Sequence, residues 1–218
     1  MLYEEKYFEY RKMRLYYFIM GEDKPLFFLP GGLRVTTYLQ NIHLLSRYYK
    51  VIAVDLPGFG KSSTPPDAWS LENYADLLSH FLDFLKLPKV AAVGHSYGGG
   101  VGLYLAIRQR LTKLVVFSPM GVASDHNPVV FFFNVLVTKS VNDFLAMKTN
   151  RMRSFIFNNA ISTVTENFSN VTKMAQVTYK VLYRTTTPEQ LRKIKIPVKL
   201  LWGKHDELFP VQNGYYLQ

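Results

Sequence analysis

Short runs of consecutive apolar residues recur along the chain, and most are separated by stretches with helical spacing. A run that is apolar on consecutive positions is typical of a strand buried on both faces, as in a parallel sheet. Strands that alternate with helices predict an α/β fold with right-handed crossovers. The five runs lie at residues 26–29, 51–54, 90–93, 114–117 and 198–202.

Two further segments have their own local signals. Residues 7–20 contain two aromatic-rich runs around Arg11-Lys12, which predicts an antiparallel hairpin at the start of the chain. Residues 71–85 have helical spacing, with Ser70 as the expected N-cap and Leu87-Pro88 as the expected stop. The chain therefore opens with a hairpin and continues into alternating strands and helices.

The alternation stops at Gly121 and resumes at Thr187, where Thr-Pro-Glu-Gln-Leu-Arg predicts a capped helical turn. Between them lie helix-like stretches rich in Phe, Met, Asn and Thr, and no short buried strand is apparent there. We therefore divide the chain into an N-terminal core part at 1–123, a helical cap at 124–187 and a C-terminal core part at 188–218.

Composition narrows the class of protein. Of 218 residues, 48% are hydrophobic, 15% aromatic and 19% charged, which is typical of a globular chain with a sizeable core. Cysteine is absent, so disulfides, thiolate metal sites and cysteine nucleophiles are excluded. The net charge of +10 is spread over both parts of the chain without a basic stripe or a known module, so we expect no nucleic-acid partner.

The sequence carries no targeting signal that we recognise. Its first ten residues mix charged and aromatic side chains, unlike a signal peptide. The longest apolar stretch, residues 129–137, is too short for a membrane span. We expect a cytoplasmic protein without a membrane span.

Gly94-His95-Ser96-Tyr97-Gly98 lies between an apolar strand and a Gly-rich helix start. A serine at a sharp strand-to-helix turn needs flanking glycines, because the two backbones nearly touch at those positions. The serine then projects from the tip, where the helix N-terminus lends positive potential to an oxyanion. Ser96 is the candidate nucleophile, against the alternative of a serine in an ordinary glycine turn.

With three further motifs, this pattern resembles the α/β-hydrolase family, of the kind that has a helical cap. The resemblance runs from the hairpin to the last residue, and it implies a mostly parallel central sheet flanked by helices. Asp55-Leu-Pro-Gly-Phe-Gly-Lys-Ser62 resembles the loop after the family's fourth strand, Phe117-Ser118-Pro119 the exit into the cap, and Trp202-Gly-Lys-His-Asp206 the strand end that presents the triad acid.

The resemblance also implies the other site residues. Acyl transfer needs two backbone N–H groups aimed at the oxyanion, and these are expected from Tyr97 and from the loop at 30–33, with Gly32 preferred and Leu33 as the alternative. The family more often has histidine where Pro30 stands, so a side chain expected to brace this loop is missing. Asp206 is the expected acid, and Glu207 and Asp125 are weaker candidates.

The general base is not evident. The family order is Ser, Asp, His, and Gln218 lies only twelve residues past Asp206. We expect one more strand, a histidine loop and a closing helix to follow Gln218, with His126 near the cap entry as an outside candidate. The other histidines do not fit: His95 is expected to point to the opposite side of the turn, His205 adjoins the acid, and His43 and His80 lie in predicted helices.

Two nucleotide-binding alternatives fail on spacing. Gly60-Lys61-Ser62 matches the tail of a phosphate-binding loop, but Asp55 stands where that motif needs glycine, and two prolines block the helix that should follow. The glycines at 94–102 surround a serine and lack the dinucleotide-binding spacing.

The resemblance and the candidate residues predict a serine hydrolase that forms an acyl-enzyme on carboxylic esters of small to medium lipophilic substrates. No metal and no organic cofactor are implied, and the oligomeric state stays open. Lactone, amide or carbon–carbon bond hydrolysis are alternatives within the family. A second hypothesis from a different class is a non-catalytic ligand receptor or scaffold on the same fold, which the missing histidine permits.

Overall fold

The described part of the chain is built around a seven-stranded sheet. The computed structural model describes residues 3–122, 186–204, 206 and 209–217. The strands in these residues are β1 (Glu5–Tyr10), β2 (Met13–Met20), β3 (Pro25–Leu29), β4 (Lys50–Val54), β5 (Val90–His95), β6 (Leu111–Phe117) and β7 (Val198–Leu201). Their order across the sheet is β1-β2-β4-β3-β5-β6-β7. β1 pairs antiparallel with β2, and β2 with β4, whereas all pairs from β4 to β7 are parallel.

Helices in the described residues flank this sheet. They are α1 (Leu39–Leu45), which follows a 3-10 turn at Val35–Tyr38, then α2 (Leu71–Phe84), α3 (Ser96–Ile107), α4 (Pro188–Leu191) and α5 (Gln212–Tyr216). The predicted caps are present: the Ser70 N–H donates to Asn73 Oδ1 at 2.9 Å, and Thr187 Oγ1 accepts from the Gln190 N–H at 3.3 Å.

The sheet separates two apolar layers, because successive side chains of a strand point to opposite faces. Phe27 and Leu29 pack into the layer that contains the buried sides of α2 and α3. Leu26 and Phe28 pack into the other layer, together with Ile42 of α1. The prediction of strands buried on both faces is confirmed for β3 and likewise for β4, whereas in β7 Lys199 is exposed and the other three residues are only half-buried.

The predicted strands and the hairpin are all present, with shifted ends. β6 begins at Leu111, three residues before the predicted run. Thr112 and Lys113 are exposed within this strand, so an apolar run does not reveal its start. The Arg11-Lys12 turn joins β1 to β2, and Arg11 has a φ of 48°.

The two ends of the predicted insertion meet at one point. The Thr186 N–H donates to the Gly121 carbonyl at 2.8 Å, and Thr186 Oγ1 donates to the same oxygen at 2.9 Å. Apart from Thr186 and Thr187, the predicted cap at 124–187 lies outside the described residues. The helical cap therefore stays a prediction, whereas its points of entry and exit are seen to be neighbours.

The α1 side of the sheet forms an open groove along β3, β5 and β6 in the part of the chain that the structure describes. The groove has a volume of about 1380 Å³. Its walls are largely apolar and include Leu26, Phe28, Val93, Val115, Phe117 and Leu201, with His95 and Asp206 at the end nearest the carboxyl ends of the strands. None of the described helices is long and apolar enough to cross a membrane.

Candidate active site

The candidate residues lie at the carboxyl ends of neighbouring parallel strands. The loop at 30–33 follows β3, Ser96 follows β5, Ser118 follows β6 and Asp206 lies beyond β7, and these four strands are consecutive in the sheet. Parallel strands present their carboxyl ends at one edge, which is where open α/β sheets bind ligands. The fold therefore brings segments separated by more than 170 residues of sequence to one edge.

Ser96 is the first residue of α3 and has a φ of 48°. This left-handed conformation is costly for a residue with a side chain, and it turns the chain sharply from strand to helix. The flanking glycines are required by close approach: a Cβ on Gly94 would lie 2.7 Å from the Gly98 carbonyl oxygen, and one on Gly98 would lie 2.3 Å from those of Leu29 and Pro30. The predicted backbone contact at Gly94 is thus observed, and Gly98 also packs against the end of β3.

Residues 30–33, which we call the oxyanion loop because they contain the predicted donors Gly32 and Leu33, are held by three hydrogen bonds. The Gly31 N–H donates to Tyr38 Oη at 3.1 Å, and the Leu33 N–H donates to the Gly31 carbonyl at 2.7 Å. The Pro30 carbonyl accepts the Gly98 N–H at 3.0 Å. Among the described residues none accepts the Gly32 N–H. Of the two candidate donors in this loop, Gly32 is therefore the one left for a ligand.

Tyr97, the other expected donor, is the second residue of α3. The first N–H groups of a helix have no partner four residues back, so they can bind an anionic group. Its side chain is buried and packs edge-to-face against Phe59 and Tyr74, with ring centroids 5.6 and 5.2 Å away. This burial, and then the neighbouring Tyr74, raise the pKa of the Tyr97 hydroxyl well above its ordinary value. The side chain thus belongs to the core, and the backbone N–H of Tyr97 remains the predicted oxyanion donor.

The Asp206 carboxylate is held from two sides. Its Oδ2 accepts the Ser118 hydroxyl at 2.7 Å, and its Oδ1 accepts the Phe209 N–H at 3.0 Å. Ser118 itself has a φ of 40°, and its N–H donates to the Leu201 carbonyl at 3.1 Å. The carboxylate is therefore oriented by the residue that follows β6 and by the segment that follows β7. The weaker candidates Glu207 and Asp125 lie outside the described residues.

None of the described histidines is placed to act as the base for Ser96. His95 Nδ1 lies 2.8 Å from Tyr38 Oη, and His80 Nε2 lies 2.9 Å from Tyr10 Oη. His43 lies in α1 and His80 in α2, as the sequence predicts. No described histidine hydrogen-bonds to Ser96. His126 and His205 lie outside the described residues.

His95 stands at the end of the groove near Asp206. Part of the imidazole is accessible, but protein atoms surround much of it. This desolvation lowers the pKa of His95 from its ordinary value of 6.5, and the negative charge of Asp206 opposes the change. Burial is the larger effect, so the neutral imidazole is favoured.

The residues at 55–62 that partly match a phosphate-binding loop make contacts that stabilise the fold. The Lys61 ammonium pairs with Glu5, and the Ser62 hydroxyl donates to the Asp55 carbonyl at 2.6 Å. The buried Asp55 carboxylate accepts the Val35 N–H at 2.5 Å and the Lys61 N–H at 2.8 Å. Asp55 therefore ties the loop after β4 to the turn that follows the oxyanion loop.

The sequence alone does not indicate the role of two polar residues at the carboxyl-end edge of the sheet. Tyr38 holds Gly31, and the Ser118 side chain holds Asp206. Ser118 belongs to the quoted Phe117-Ser118-Pro119 motif, which was a signal available in the sequence. Tyr38 belongs to no motif, so only its position in the fold reveals it.

Comparison with known proteins identifies the family to which this fold belongs. A family model described as "alpha/beta hydrolase fold" matches residues 24–218. The uncharacterized hydrolase YugF of Bacillus subtilis (strain 168) is 27% identical over 188 residues, which cover 79% of this chain and 69% of that protein. The 2-hydroxy-6-oxo-6-(2'-aminophenyl)hexa-2,4-dienoic acid hydrolase of Metapseudomonas resinovorans is 26% identical over 231 residues, covering 98% of this chain and 78% of that protein.

Solved structures give the same fold. The enol-lactonase from Burkholderia xenovorans LB400 superposes with a TM-score of 0.75 at 19% identity, covering 97% of this chain and 86% of that one. The relatives are thus longer than this chain, and the match extends over most of it. Since the family model covers far more than half of the sequence, the chain belongs to the alpha/beta hydrolase fold family and is a hydrolase of that family.

Proposed function

We propose that this protein is a serine hydrolase that forms an acyl-enzyme on Ser96 and acts on carboxylic esters of small to medium lipophilic substrates. The observation that carries the proposal is the position of Ser96, at a left-handed turn between β5 and α3 and beside a loop whose Gly32 N–H is unused by the described residues. A strained, tightly packed turn of this kind presents a hydroxyl for attack while backbone donors surround the reacting carbonyl.

The proposed reaction proceeds in two steps. Ser96 Oγ attacks the ester carbonyl carbon, and the resulting oxyanion accepts hydrogen bonds from the Gly32 and Tyr97 N–H groups. The tetrahedral intermediate then expels the alcohol, which leaves with a proton supplied by the general acid. Water adds to the acyl-enzyme in the same way, releasing the acid and restoring the serine.

Asp206 is proposed to orient the imidazole that takes the Ser96 proton and to stabilise its charged form. Support comes from the two hydrogen bonds that fix this carboxylate at the site edge. None of the described histidines bonds to Ser96, so we place the base outside the described residues. The lipophilic preference rests on the aromatic and methionine content of the proposed cap, and cytoplasmic location stays a prediction to be tested by fractionation.

A fluorophosphonate probe tests this proposal, because it reacts only with an activated serine. We expect the full product of the gene to be labelled on the peptide that contains Ser96, and Ser96→Ala to abolish the labelling. Ser79→Ala is the matched control, since the Ser79 hydroxyl only bonds to the Ala75 carbonyl within α2. Absence of labelling in the parent protein would favour the alternative of a non-catalytic receptor on the same fold.

A second candidate function is hydrolysis of a carbon–carbon bond. The dienoic acid hydrolase from Metapseudomonas resinovorans, which matches along 98% of this chain, favours it. The two candidates separate in a direct comparison of p-nitrophenyl esters with a 2-hydroxy-6-oxo-dienoate, each followed by absorbance. A kcat/KM at least tenfold higher for the dienoate would replace the ester assignment.

A further inference from the structure

The Tyr38 hydroxyl links the oxyanion loop to the turn that carries Ser96. Its oxygen accepts the Gly31 N–H at 3.1 Å and lies 2.8 Å from His95 Nδ1. A tyrosine hydroxyl has one proton to donate. Because the oxygen already accepts from Gly31, the arrangement that uses every group directs the Tyr38 proton to Nδ1, with the His95 proton on Nε2. This requires neutral His95, which its lowered pKa favours.

Gly31, the Tyr38 hydroxyl and the His95 imidazole are closely packed. A Cβ on Gly31 would lie 2.8 Å from both Tyr38 Oη and His95 Nδ1. The Tyr38 ring is held between Phe28 and the His95 ring, with centroid distances of 5.5 and 5.9 Å. The hydroxyl therefore has a fixed position, and glycine at position 31 is what allows the loop backbone to reach it.

This contact controls the peptide that offers the candidate oxyanion donor. The Gly32 N–H belongs to the peptide unit whose carbonyl is that of Gly31, and this carbonyl accepts the Leu33 N–H at 2.7 Å. Gly31 is thus held at its N–H by Tyr38 and at its carbonyl by Leu33. Two adjacent glycines would otherwise rotate easily. Removing the Tyr38 hydroxyl releases one of the two restraints on the direction of the Gly32 N–H.

We propose that Tyr38 and His95 are positioning residues that hold the oxyanion loop in the conformation needed for acyl transfer. The inference rests on the proposed function and deepens it. His95 directly precedes Ser96 in the sequence. The same turn therefore supplies the nucleophile and, through Tyr38, the restraint on the loop that carries the oxyanion donor Gly32. A second link, from the Gly98 N–H to the Pro30 carbonyl, joins the same two segments. Tyr38 and His95 thus brace the oxyanion loop in place of the histidine that the family more often has at position 30.

The test is Tyr38→Phe in the full product of the gene, which keeps the ring and removes the hydroxyl. Loss of one oxyanion-hole donor lowers kcat by roughly 10²–10³-fold elsewhere. A donor that is misdirected part of the time should cost less, so we expect kcat for p-nitrophenyl acetate and the rate of fluorophosphonate labelling to fall about 10- to 100-fold, with KM changed less than about twofold. Tyr10→Phe is the matched control, because Tyr10 makes the same hydroxyl–imidazole contact with His80 away from the site.

A pair of His95 variants separates positioning from packing. In His95→Asn the side-chain oxygen replaces Nδ1 as acceptor, so this variant should retain most of the activity. In His95→Leu no acceptor remains, and kcat should fall as in Tyr38→Phe. Equal activities of the two variants, or unchanged kcat in Tyr38→Phe, would overturn the proposal.

Amide hydrogen exchange at Gly31, measured by NMR, provides a readout that does not depend on activity. Tyr38→Phe should accelerate this exchange at least tenfold and leave the amides of β5 unchanged. An unchanged Gly31 rate refutes the bracing role even if the enzyme is active. Absence of labelling in the parent protein refutes the proposed function instead, so the two failures are distinguishable.

Discussion

Replacing Asp55 by asparagine should destabilise the protein strongly, although the two side chains are nearly isosteric. Asp55 is 1% exposed, its Oδ1 accepts the Val35 N–H at 2.5 Å, and its Oδ2 accepts the Lys61 N–H at 2.8 Å. Asparagine has a single acceptor oxygen, so its NH₂ group must face one of these N–H donors. The carboxylate occupies the space that the absent side chain of Gly60 leaves, since a Cβ there would lie 2.1 Å from Oδ2.

The magnitude follows from these two hydrogen bonds. A buried donor left without an acceptor costs about 1–3 kcal/mol, and the remaining bond loses about 1 kcal/mol when its acceptor is no longer charged. The expected decrease in the free energy of unfolding is therefore about 3 kcal/mol. For a chain of this length, that corresponds to a melting temperature lower by about 6–12 °C.

Urea unfolding followed by circular dichroism measures this change, with the m value compared between variants. Asp67→Asn is the matched control, because it removes the same charge from an exposed position in the same loop. We expect the control to stay within about 0.5 kcal/mol of the parent. If Asp55→Asn unfolds at the same urea concentration as Asp67→Asn, the assignment of Asp55 as the anchor of these two loops is wrong.

Four further predictions concern Ser96, two glycines, His95 and the segment at 123–185. Ser96→Gly should abolish acyl transfer and raise the free energy of unfolding by roughly 0.5–1 kcal/mol, because relief of a left-handed φ outweighs the entropy of the added glycine; a destabilised variant would contradict this. Gly94→Ala should destabilise by about 2–3 kcal/mol, whereas Gly203→Ala, whose Cβ would meet nothing closer than 3.6 Å, should be nearly neutral in the same urea assay. Burial holds the pKa of His95 below 6.5 in the folded protein, so the unfolded state binds more protons as the pH falls. The free energy of unfolding should therefore decrease as the pH falls from 6.5 through the folded pKa, and this dependence on pH should be weaker in His95→Asn. Replacing residues 123–185 by a short Gly/Ser linker should leave a cooperatively unfolding sheet, and loss of cooperativity would show that the segment belongs to the core.

Local patterns determined the parts of the fold that depend on neighbours in sequence. Strands β3, β4 and β5 each contain four consecutive apolar residues, because their side chains pack against apolar groups on both faces of the sheet. The Ser96 turn is equally local, since strand, glycines and helix start follow one another directly. The start of β6 differs from the prediction because exposed Thr112 and Lys113 interrupt the apolar run while the backbone pairing continues.

Contacts between distant segments were decided only by the tertiary structure. Tyr38 and His95 are 57 residues apart, and Ser118 and Asp206 are 88 apart, yet each pair is within hydrogen-bonding distance. Neither pair has a spacing that a periodic pattern could reveal. They meet because strands β3, β5, β6 and β7 are consecutive in the sheet and end at one edge, with β4 placed on the other side of β3 although it lies between β3 and β5 along the chain. The sequence thus specifies which residues can carry the chemistry, and the strand order specifies which of them hold one another in place.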